Sequence, residues 1–193
     1  MSRRRIGVLG GTFDPVHNGH LAVARQVRQL VDLDRVVFVP AGTPWQKQAI
    51  ASAEDRLAML RLALEGEADC EVSLVDVLRP GPTYTVDTLS DLATEYPGDE
   101  LWFILGADAA RGVPTWHRSE DLLEHARFVI VSRPGEPEPQ APDGMRHLEL
   151  VRIPSEDVSS SMCRNRARAG ESLTGLVPDA VQTYITDHRL YEE

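Results

Sequence analysis

Short apolar runs alternate along the chain with amphipathic stretches. The apolar runs predict six buried strands, at residues 5–9, 35–39, 71–75, 101–105, 127–132 and 147–153. In the stretches between them, apolar residues recur three or four positions apart, as Val23, Val27 and Leu30 do, and this spacing predicts helices. Strands that alternate with helices at such intervals favour βαβ units and a parallel sheet.

Polar residues and one proline mark where the predicted helices begin. Ser52 is followed by two acidic residues and is typical of a helix N-cap. Ser119 predicts the cap of a short helix, and Ser159 or Ser160 predicts the cap of a later one. Pro178 suits the first residue of the last helix, where a missing N–H group costs nothing.

The length of 193 residues favours one domain, which we place at residues 1–193. We expect an α/β fold: a single doubly wound, mainly parallel sheet flanked by helices, with a small C-terminal helical extension at about 159–193. In such sheets the ligand binds beyond the carboxyl ends of the strands. The chemistry is therefore expected in the loops that follow the strands, at residues 10–19, 40–51, 76–85, 106–116, 132–135 and 154–161.

Charge and composition narrow the classes of function. The formal net charge is −10, which argues against a sequence-independent grip on nucleic acid. No apolar run approaches the ~20 residues that span a bilayer, so we expect a cytoplasmic protein with no membrane partner. Cys70 and Cys163 lie far apart without further ligands nearby, which makes a zinc site improbable. The sequence is compatible with a homo-oligomer.

The loop after the first strand carries the densest set of candidate residues, Gly10–His20. Its two leading glycines allow backbone N–H groups to approach a phosphate closely. The spacing matches neither the dinucleotide-binding fingerprint nor the Walker motif. Instead, His17 and His20 stand three residues apart at the predicted start of a helix, where the helix dipole favours an anion.

A second cluster, Val158–Arg164, has three consecutive serines followed by an arginine one turn later. Serines alone are explained by helix capping. Hydroxyls, free N–H groups and a guanidinium at one helix start also form an anion cradle. Together with the first loop, this cluster predicts a two-sided site for one triphosphate.

These residues carry a family resemblance. Gly10–His20 resembles the G-G-[ST]-F-D-P-x-H-x-G-H signature of nucleotidyltransferases, and Val158–Arg164 resembles their later I-S-S-[ST]-x-x-R motif. Within that group the chain is similar to bacterial nicotinate-mononucleotide adenylyltransferases. The narrower likeness depends on Pro82–Leu89, Leu105–Asp108 and Trp116.

The resemblance implies transfer of AMP from ATP to nicotinate mononucleotide, assisted by Mg²⁺, with deamido-NAD and pyrophosphate as products. It implies that His17, His20 and Arg164 take part in catalysis. It also implies an ATP site made by Gly10, Thr12, Phe13, His17, His20, Gly106, Asp108, Ser160, Ser161 and Arg164. The implied acceptor site contains Thr85 and Trp116, and less specifically Lys47, the single lysine of the chain. No protein ligand to the metal is assigned.

The implied chemistry agrees with this set of residues. A phosphate acceptor is already largely ionised near pH 7, so positioning and charge stabilisation suffice without a general base. Four of the residues also have simpler roles open to them. Trp116 could serve only to pack the core, and Asp108 could cap the next helix. Lys47 could be a solvated surface charge, and Asp14 could brace its own turn through a bond to the backbone.

Three alternative functions are open at this stage. The first is nucleotidyl transfer to another acceptor such as phosphopantetheine, although enzymes of that kind are usually shorter. The second is a nucleotide-binding regulator without turnover, which should have lost phosphate ligands that this chain retains. The third is an NAD-dependent dehydrogenase, which the glycine spacing disfavours.

Overall fold

The computed structural model describes residues 3–44, 49–132, 141–145, 147–154 and 158–192. The strands are β1 (Arg5–Gly11), β2 (Arg35–Pro40), β3 (Cys70–Val72), β4 (Glu100–Gly106), β5 (Arg127–Ser132) and β6 (His147–Arg152). The helices are α1 (Asn18–Leu30), α2 (Ala53–Ala63), α3 (Val75–Leu78), α4 (Thr85–Glu95), α5 (Ala107–Gly112), α6 (Ser119–His125), α7 (Ser160–Arg168) and α8 (Asp179–Asp187). A 3₁₀ turn, Val113–Thr115, separates α5 from α6.

The six strands form one sheet in the order β3-β2-β1-β4-β5-β6. Every pairing between neighbours is parallel, which confirms the predicted sheet. Val8 of β1 pairs with Val37 on one side and with Phe103 on the other, so β1 is central. The strand order reverses between β1 and β4, and the loops after these two strands therefore border a crevice at the carboxyl edge.

Apolar side chains cover both faces of the sheet. Along β4, Phe103 and Leu105 belong to one hydrophobic cluster, whereas Trp102 and Ile104 belong to the other, as alternation along a strand requires. Val181 of α8 packs in the second of these clusters, together with residues of β1 and α1. The sheet is thus doubly wound.

The third strand is shorter than predicted, and the prediction for residues 71–75 is wrong at its end. The strand stops at Val72, and Val75 already begins α3. Ser73 makes the last bond to β2, since its N–H donates to the carbonyl of Phe38 at 3.0 Å. Its hydroxyl then accepts the N–H of Val75 at 3.4 Å, which turns the chain into the helix.

Helix starts were predicted with mixed success. Ser52 and Ser159 are N-caps, since their hydroxyls accept the N–H of the residue three positions later. Ser119 is the first residue of α6, and the cap position is Arg118, with φ of 52°. Pro178 likewise precedes α8 as its cap. Much of the proline-rich loop at 134–144 lies outside the described residues.

Candidate active site

The loop between β1 and α1 is packed tightly against aromatic rings. A Cβ atom at Gly10 would lie 3.2 Å from Cζ of Phe103, and one at Gly11 would lie 3.0 Å from the ring of Phe13. Phe13 itself is buried, with φ of 50°. The two glycines therefore let this loop pass close to the end of the sheet, where a larger residue would have to push the rings of Phe103 and Phe13 aside. We call residues 10–17 the phosphate loop.

His17 and His20 are held together at the start of α1. Their rings stack with centroids 3.7 Å apart, and the N–H of His17 donates to Nδ1 of His20 at 3.2 Å. Because Nδ1 of His20 accepts, a neutral ring carries its proton on Nε2 and can donate it. Phe13 meets the ring of His20 edge-on at 5.0 Å, which fixes the orientation of the ring.

The second cluster lies against the phosphate loop, as predicted. Ser160 donates its hydroxyl proton to the carbonyl of Pro15 at 2.9 Å. Arg164 donates from Nη1 to the carbonyl of Asp14 at 2.6 Å and from Nη2 to Oγ of Ser161 at 3.2 Å. The start of α7 is therefore bonded to the phosphate loop across more than 140 residues of sequence.

Asp14 links three separate segments through its carboxylate. Oδ2 accepts the N–H of Ile50 at 2.7 Å, and Oδ1 accepts both the N–H of Ala51 at 3.2 Å and the hydroxyl of Tyr191 at 2.8 Å. The expectation that Asp14 braces its own turn is thus corrected, because its partners lie 36 or more residues away. Burial and the neighbouring carboxylate raise the pKa of Tyr191 well above its usual range.

Arg56 of α2 is bonded to the phosphate loop, a contact that the sequence pattern did not predict. Its side chain is 1% exposed. Nη1 donates to the carbonyl of Thr12 at 2.8 Å, and Nη2 donates to the carbonyl of Gly42 at 3.2 Å. One guanidinium therefore connects the loops that follow β1 and β2. Burial lowers the pKa of Arg56 from its ordinary value, against the opposing field of Asp14.

A cavity of about 270 Å³ opens on the α1 side of the phosphate loop. We call it the donor cavity, and its lining includes His20, Gly106, Asp108 and Pro154. A Cβ atom at Gly106 would meet no described atom within 4 Å, so the backbone there is open to a ligand. Asp108 is exposed and forms an ion pair with Arg111. The cavity thus brings one predicted histidine, His20, together with the predicted residues Gly106, at the end of β4, and Asp108, just after it.

A second cavity of about 270 Å³ lies on the other side of the loop. We call it the acceptor cavity; it is lined by Gly10, Gly11, Thr12, Ala41, Pro44, Asp76, Thr83, Tyr84, Thr85, Thr88, Phe103, Leu105, Ala109, Trp116 and His117. Trp116 is half-buried and meets Phe103 edge-on, with centroids 6.4 Å apart. Thr85 is the first residue of α4. The two predicted acceptor residues therefore share one cavity.

A buried carboxylate supports the wall of the acceptor cavity. Asp76 is 3% exposed and accepts the hydroxyl of Thr88 at 2.8 Å and Nη1 of Arg79 at 2.8 Å. Burial raises the pKa of Asp76, while these two donors act in the opposite direction. Sequence reasoning missed this group, whose only signal was its place in the segment between β3 and α4, where the structure forms the short helix α3. Lys47, the remaining predicted acceptor residue, lies outside the described residues.

Two further findings concern metals and membranes. In the described part of the chain, no group of three or more His, Cys, Asp or Glu side chains is arranged to hold a metal ion. The helices of those same residues include none with the length and apolar character needed to cross a membrane.

Known proteins resemble this chain in sequence. A family model described as Cytidylyltransferase-like matches residues 8–166. A protein of Leifsonia xyli subsp. xyli named probable nicotinate-nucleotide adenylyltransferase is 49% identical over 190 residues, covering 98% of this chain and 95% of that one. A protein of the same name from Saccharopolyspora erythraea is 48% identical over 193 residues, covering 98% and 90%.

Solved structures resemble the chain in fold. Nicotinic acid mononucleotide adenylyltransferase of Plasmodium falciparum, solved in complex with NaAD, matches with a TM-score of 0.80 at 20% identity. The match covers 98% of each chain. At 20% identity this likeness concerns the fold alone. The two bacterial relatives share far more of the sequence, at 49% and 48% identity. This chain therefore belongs to the Cytidylyltransferase-like family, and within it to the family of the nicotinate-nucleotide adenylyltransferases.

Proposed function

We propose that this chain transfers AMP from ATP to nicotinate mononucleotide, forming deamido-NAD and pyrophosphate, a step of NAD biosynthesis. The observation that carries the proposal is the pair of cavities that open on either side of one phosphate loop. The donor cavity includes His20, and the acceptor cavity includes Gly10 and Thr12. A triphosphate on this loop would have its α-phosphorus beside a phosphate carried by the occupant of the acceptor cavity.

The proposed phosphate contacts come from both helix starts. His20 is suited to donate from Nε2, because its Nδ1 already accepts a backbone N–H. His17 stacks on it and lies 7% exposed within the same helix turn. The guanidinium of Arg164 has five N–H donors, of which two are used in described bonds, so others remain for the outer phosphates. Ser160 and Ser161 complete this proposed cradle, together with backbone groups of Gly10, Thr12 and Phe13.

The proposed nucleotide contacts divide between the two cavities. Gly106 and Asp108 would hold the ribose of ATP, since both line the donor cavity and neither is closed off by protein. Trp116 would stack on the pyridine ring, and Thr85 would donate to it or to its carboxylate. Lys47 stays a proposed acceptor contact.

The reaction needs no nucleophile from the protein. An oxygen of the acceptor phosphate attacks the α-phosphorus, and the bond from that phosphorus to the pyrophosphate oxygen breaks in line. Charge develops on the phosphate oxygens, where backbone N–H groups and His20 can stabilise it. The pair of stacked rings and the bonds of Asp14 and Arg56 hold these donors in place before the substrate arrives.

The proposal includes Mg²⁺ bound with ATP. Mg²⁺ is usually held by substrate phosphates, water and one or two carboxylates. Asp108 fits this pattern, because it is an exposed carboxylate at the donor cavity. When bound, the ion neutralises charge on the triphosphate and the leaving pyrophosphate. A cytoplasmic location is likewise proposed.

Radiolabelled ATP tests the type of transfer directly. The protein is incubated with Mg²⁺, nicotinate mononucleotide and ATP labelled at either the α- or the γ-phosphorus. The α-label should appear in a dinucleotide, and the γ-label should appear in pyrophosphate, in equal amounts. Transfer of the γ-label to the acceptor, or release of labelled orthophosphate alone, would contradict nucleotidyl transfer.

A further inference from the structure

Two segments near the acceptor cavity meet at a contact that leaves no room for a side chain. They are the loop after β2, which contains Gly42, and the start of α3, which contains Asp76. A Cβ atom at Gly42 would lie 2.2 Å from the carbonyl oxygen of Asp76 and 3.2 Å from Cα of Val77. Both are backbone atoms, so no rotation of a side chain could relieve the clash. The loop after β2 therefore rests directly on the backbone of α3.

The carboxylate of Asp76 bonds α3 to α4. The hydroxyl of Thr88 donates to it, at 2.8 Å from Oδ1 and 2.9 Å from Oδ2. The carbonyl of Tyr84 lies farther from this hydroxyl, at 3.1 Å, and is the weaker acceptor because it carries no charge. Thr88 is 2% exposed and follows Thr85 by three residues on the same side of the helix. The bond therefore holds the turn of α4 that carries Thr85, a proposed acceptor contact.

The start of α4 is also bonded to the loop after β2. The N–H of Thr83 donates to the carbonyl of Thr43 at 3.1 Å. The neighbouring carbonyl of Gly42 accepts Nη2 of Arg56 at 3.2 Å, and Nη1 of the same guanidinium donates to the carbonyl of Thr12 at 2.8 Å. Bonds and backbone contacts thus run without interruption from the phosphate loop to the start of α4.

The burial of Asp76 suits it to hold other groups in place. Its side chain lies at the wall of the acceptor cavity but is 3% exposed. Arg79 donates to it from Nη1 at 2.8 Å and also pairs with Asp91, an exposed carboxylate of α4. The guanidinium compensates the charge of the buried carboxylate. The oxygens of Asp76 therefore face donors of the protein.

We propose that Asp76 is a positioning residue, which through its bond to Thr88 sets where the acceptor lies relative to the phosphate loop. This inference rests on the proposed function. In-line attack requires reacting atoms about 3–3.5 Å apart, and a misplacement of about 1 Å lowers the rate strongly. The proposed contacts to ATP do not include α4. Loss of the bond should therefore impair use of the acceptor and leave the binding of ATP unchanged.

The first test compares two variants of Thr88 by steady-state kinetics and thermal unfolding. Thr88→Val retains the shape but removes the hydroxyl, so kcat/KM for nicotinate mononucleotide should fall by about fivefold, as expected for one lost hydrogen bond. The KM for ATP should not change. Thr88→Ser retains the hydroxyl and should retain most of kcat/KM. A merely structural role would lower thermal stability without separating the two substrates in this way.

A double-mutant cycle shows whether Asp76 and Thr88 act through one bond. Asp76→Asn replaces one oxygen by an NH₂ group, which cannot accept a proton from Thr88 or Arg79. The double variant should have nearly the same kcat/KM as the lower of the two single variants. If the two losses multiply instead, Thr88 acts independently of Asp76 and the inference is overturned. Should Asp76→Asn fail to fold, the comparison of Thr88→Val with Thr88→Ser decides.

Asp91 provides the matched control, because it bonds to Arg79 from the exposed side of the same network. Asp91→Asn leaves the bond between Asp76 and Thr88 in place and should retain kcat/KM for both substrates. An equal loss in Asp91→Asn and Thr88→Val would overturn the inference. So would a Thr88→Val variant that transfers AMP as well as the unaltered protein, and nucleotidyl transfer would then stand. Turnover of no acceptor by the unaltered protein would overturn the proposed function, and this inference with it.

Discussion

The two sides of the candidate site are built differently. On the phosphate side the important groups are almost completely buried: Asp14 is 4% exposed, His17 7% and Arg56 1%. Asp14 and Arg56 bond to backbone groups of other segments, and His17 stacks on His20. On the acceptor side, Trp116 is half-buried and His117 is exposed, and each is placed by contact with an aromatic ring.

This difference indicates a division of labour. Groups that must stabilise the same phosphates in every turnover are held by many bonds, which keeps them in their productive positions. Groups that choose the acceptor need only a shaped and partly open cavity. Changes on the phosphate side should therefore lower the rate with every acceptor, whereas changes on the acceptor side should affect one substrate.

The largest effect is expected at His20. His20→Ala removes a proposed phosphate donor and should lower kcat by about 10²–10³ while leaving the fold intact. Pyrophosphate release measures the rate, and thermal unfolding checks the fold. Near-normal kinetics in this variant would remove His20 from the phosphate contacts and would make the two sides of the site alike.

A large effect on both stability and rate is expected at Arg56. Arg56→Met retains much of the volume but leaves the carbonyls of Thr12 and Gly42 without their donor. The free energy of unfolding should fall by about 2–3 kcal/mol, and kcat should fall with it. Arg61→Met, at an exposed position of the same helix, is the control. Equal stability and rate in the two variants would show that the buried guanidinium does not hold the loops.

A selective effect is expected at Trp116. Trp116→Ala should raise the KM for nicotinate mononucleotide by about fivefold, since a stacked aromatic ring is worth roughly 1 kcal/mol. The KM for ATP should stay close to its original value. Trp116→Phe should recover part of the loss. If the KM values for both substrates rise equally, Trp116 is a packing residue. The acceptor side of the site would then not be selective for one substrate.

The smallest effect is expected at Tyr191, and Tyr184 provides the comparison. Both tyrosines donate their hydroxyl proton to a carboxylate. Tyr191 bonds to Asp14 in the phosphate loop at 2.8 Å, whereas Tyr184 bonds to Asp55 in α2 at 3.0 Å. Each Tyr→Phe change should cost about 1 kcal/mol of stability. Only Tyr191→Phe should also raise the KM for ATP, by a few-fold. Unaltered kinetics in both variants would mean that the C-terminal segment does not position the phosphate loop.

The raised pKa of Tyr191 adds a pH-dependent measurement. Because the folded state keeps the phenol neutral, the stability it contributes is fully present below the usual tyrosine value of about 10. That contribution is lost as the pH rises further towards the raised value of the folded protein. Denaturant unfolding between pH 9 and pH 11 should therefore show a smaller loss of stability in Tyr191→Phe than in the unaltered chain.

Sequence patterns identified the features that depend on residues close together in the chain, namely strands, helix starts and short motifs. The apolar runs found β5 at its observed bounds, and the two motifs identified the helix starts that meet at the phosphate loop. The short helix α5 was missed, because its six residues give too little periodicity. The third strand was extended too far, because Val75 is as suitable for a strand as for the half-buried start of α3.

Contacts between distant segments could not be found in the same way. Arg56 is one of many arginines, and nothing in its neighbourhood distinguishes it from a solvated residue of α2. The carboxylate of Asp14 finds partners 36, 37 and 177 residues away. Such bonds exist only once the sheet has brought the ends of β1 and β2 and the C-terminal segment together.

The most direct test of the account is the release of pyrophosphate from ATP and Mg²⁺ with three acceptors in parallel. These are nicotinate mononucleotide, its amide and phosphopantetheine. We expect rapid release with nicotinate mononucleotide, weaker release with the amide and none above background with phosphopantetheine. Release only with phosphopantetheine would contradict the assignment of the acceptor cavity, and release with none of the three would contradict the proposed transfer itself.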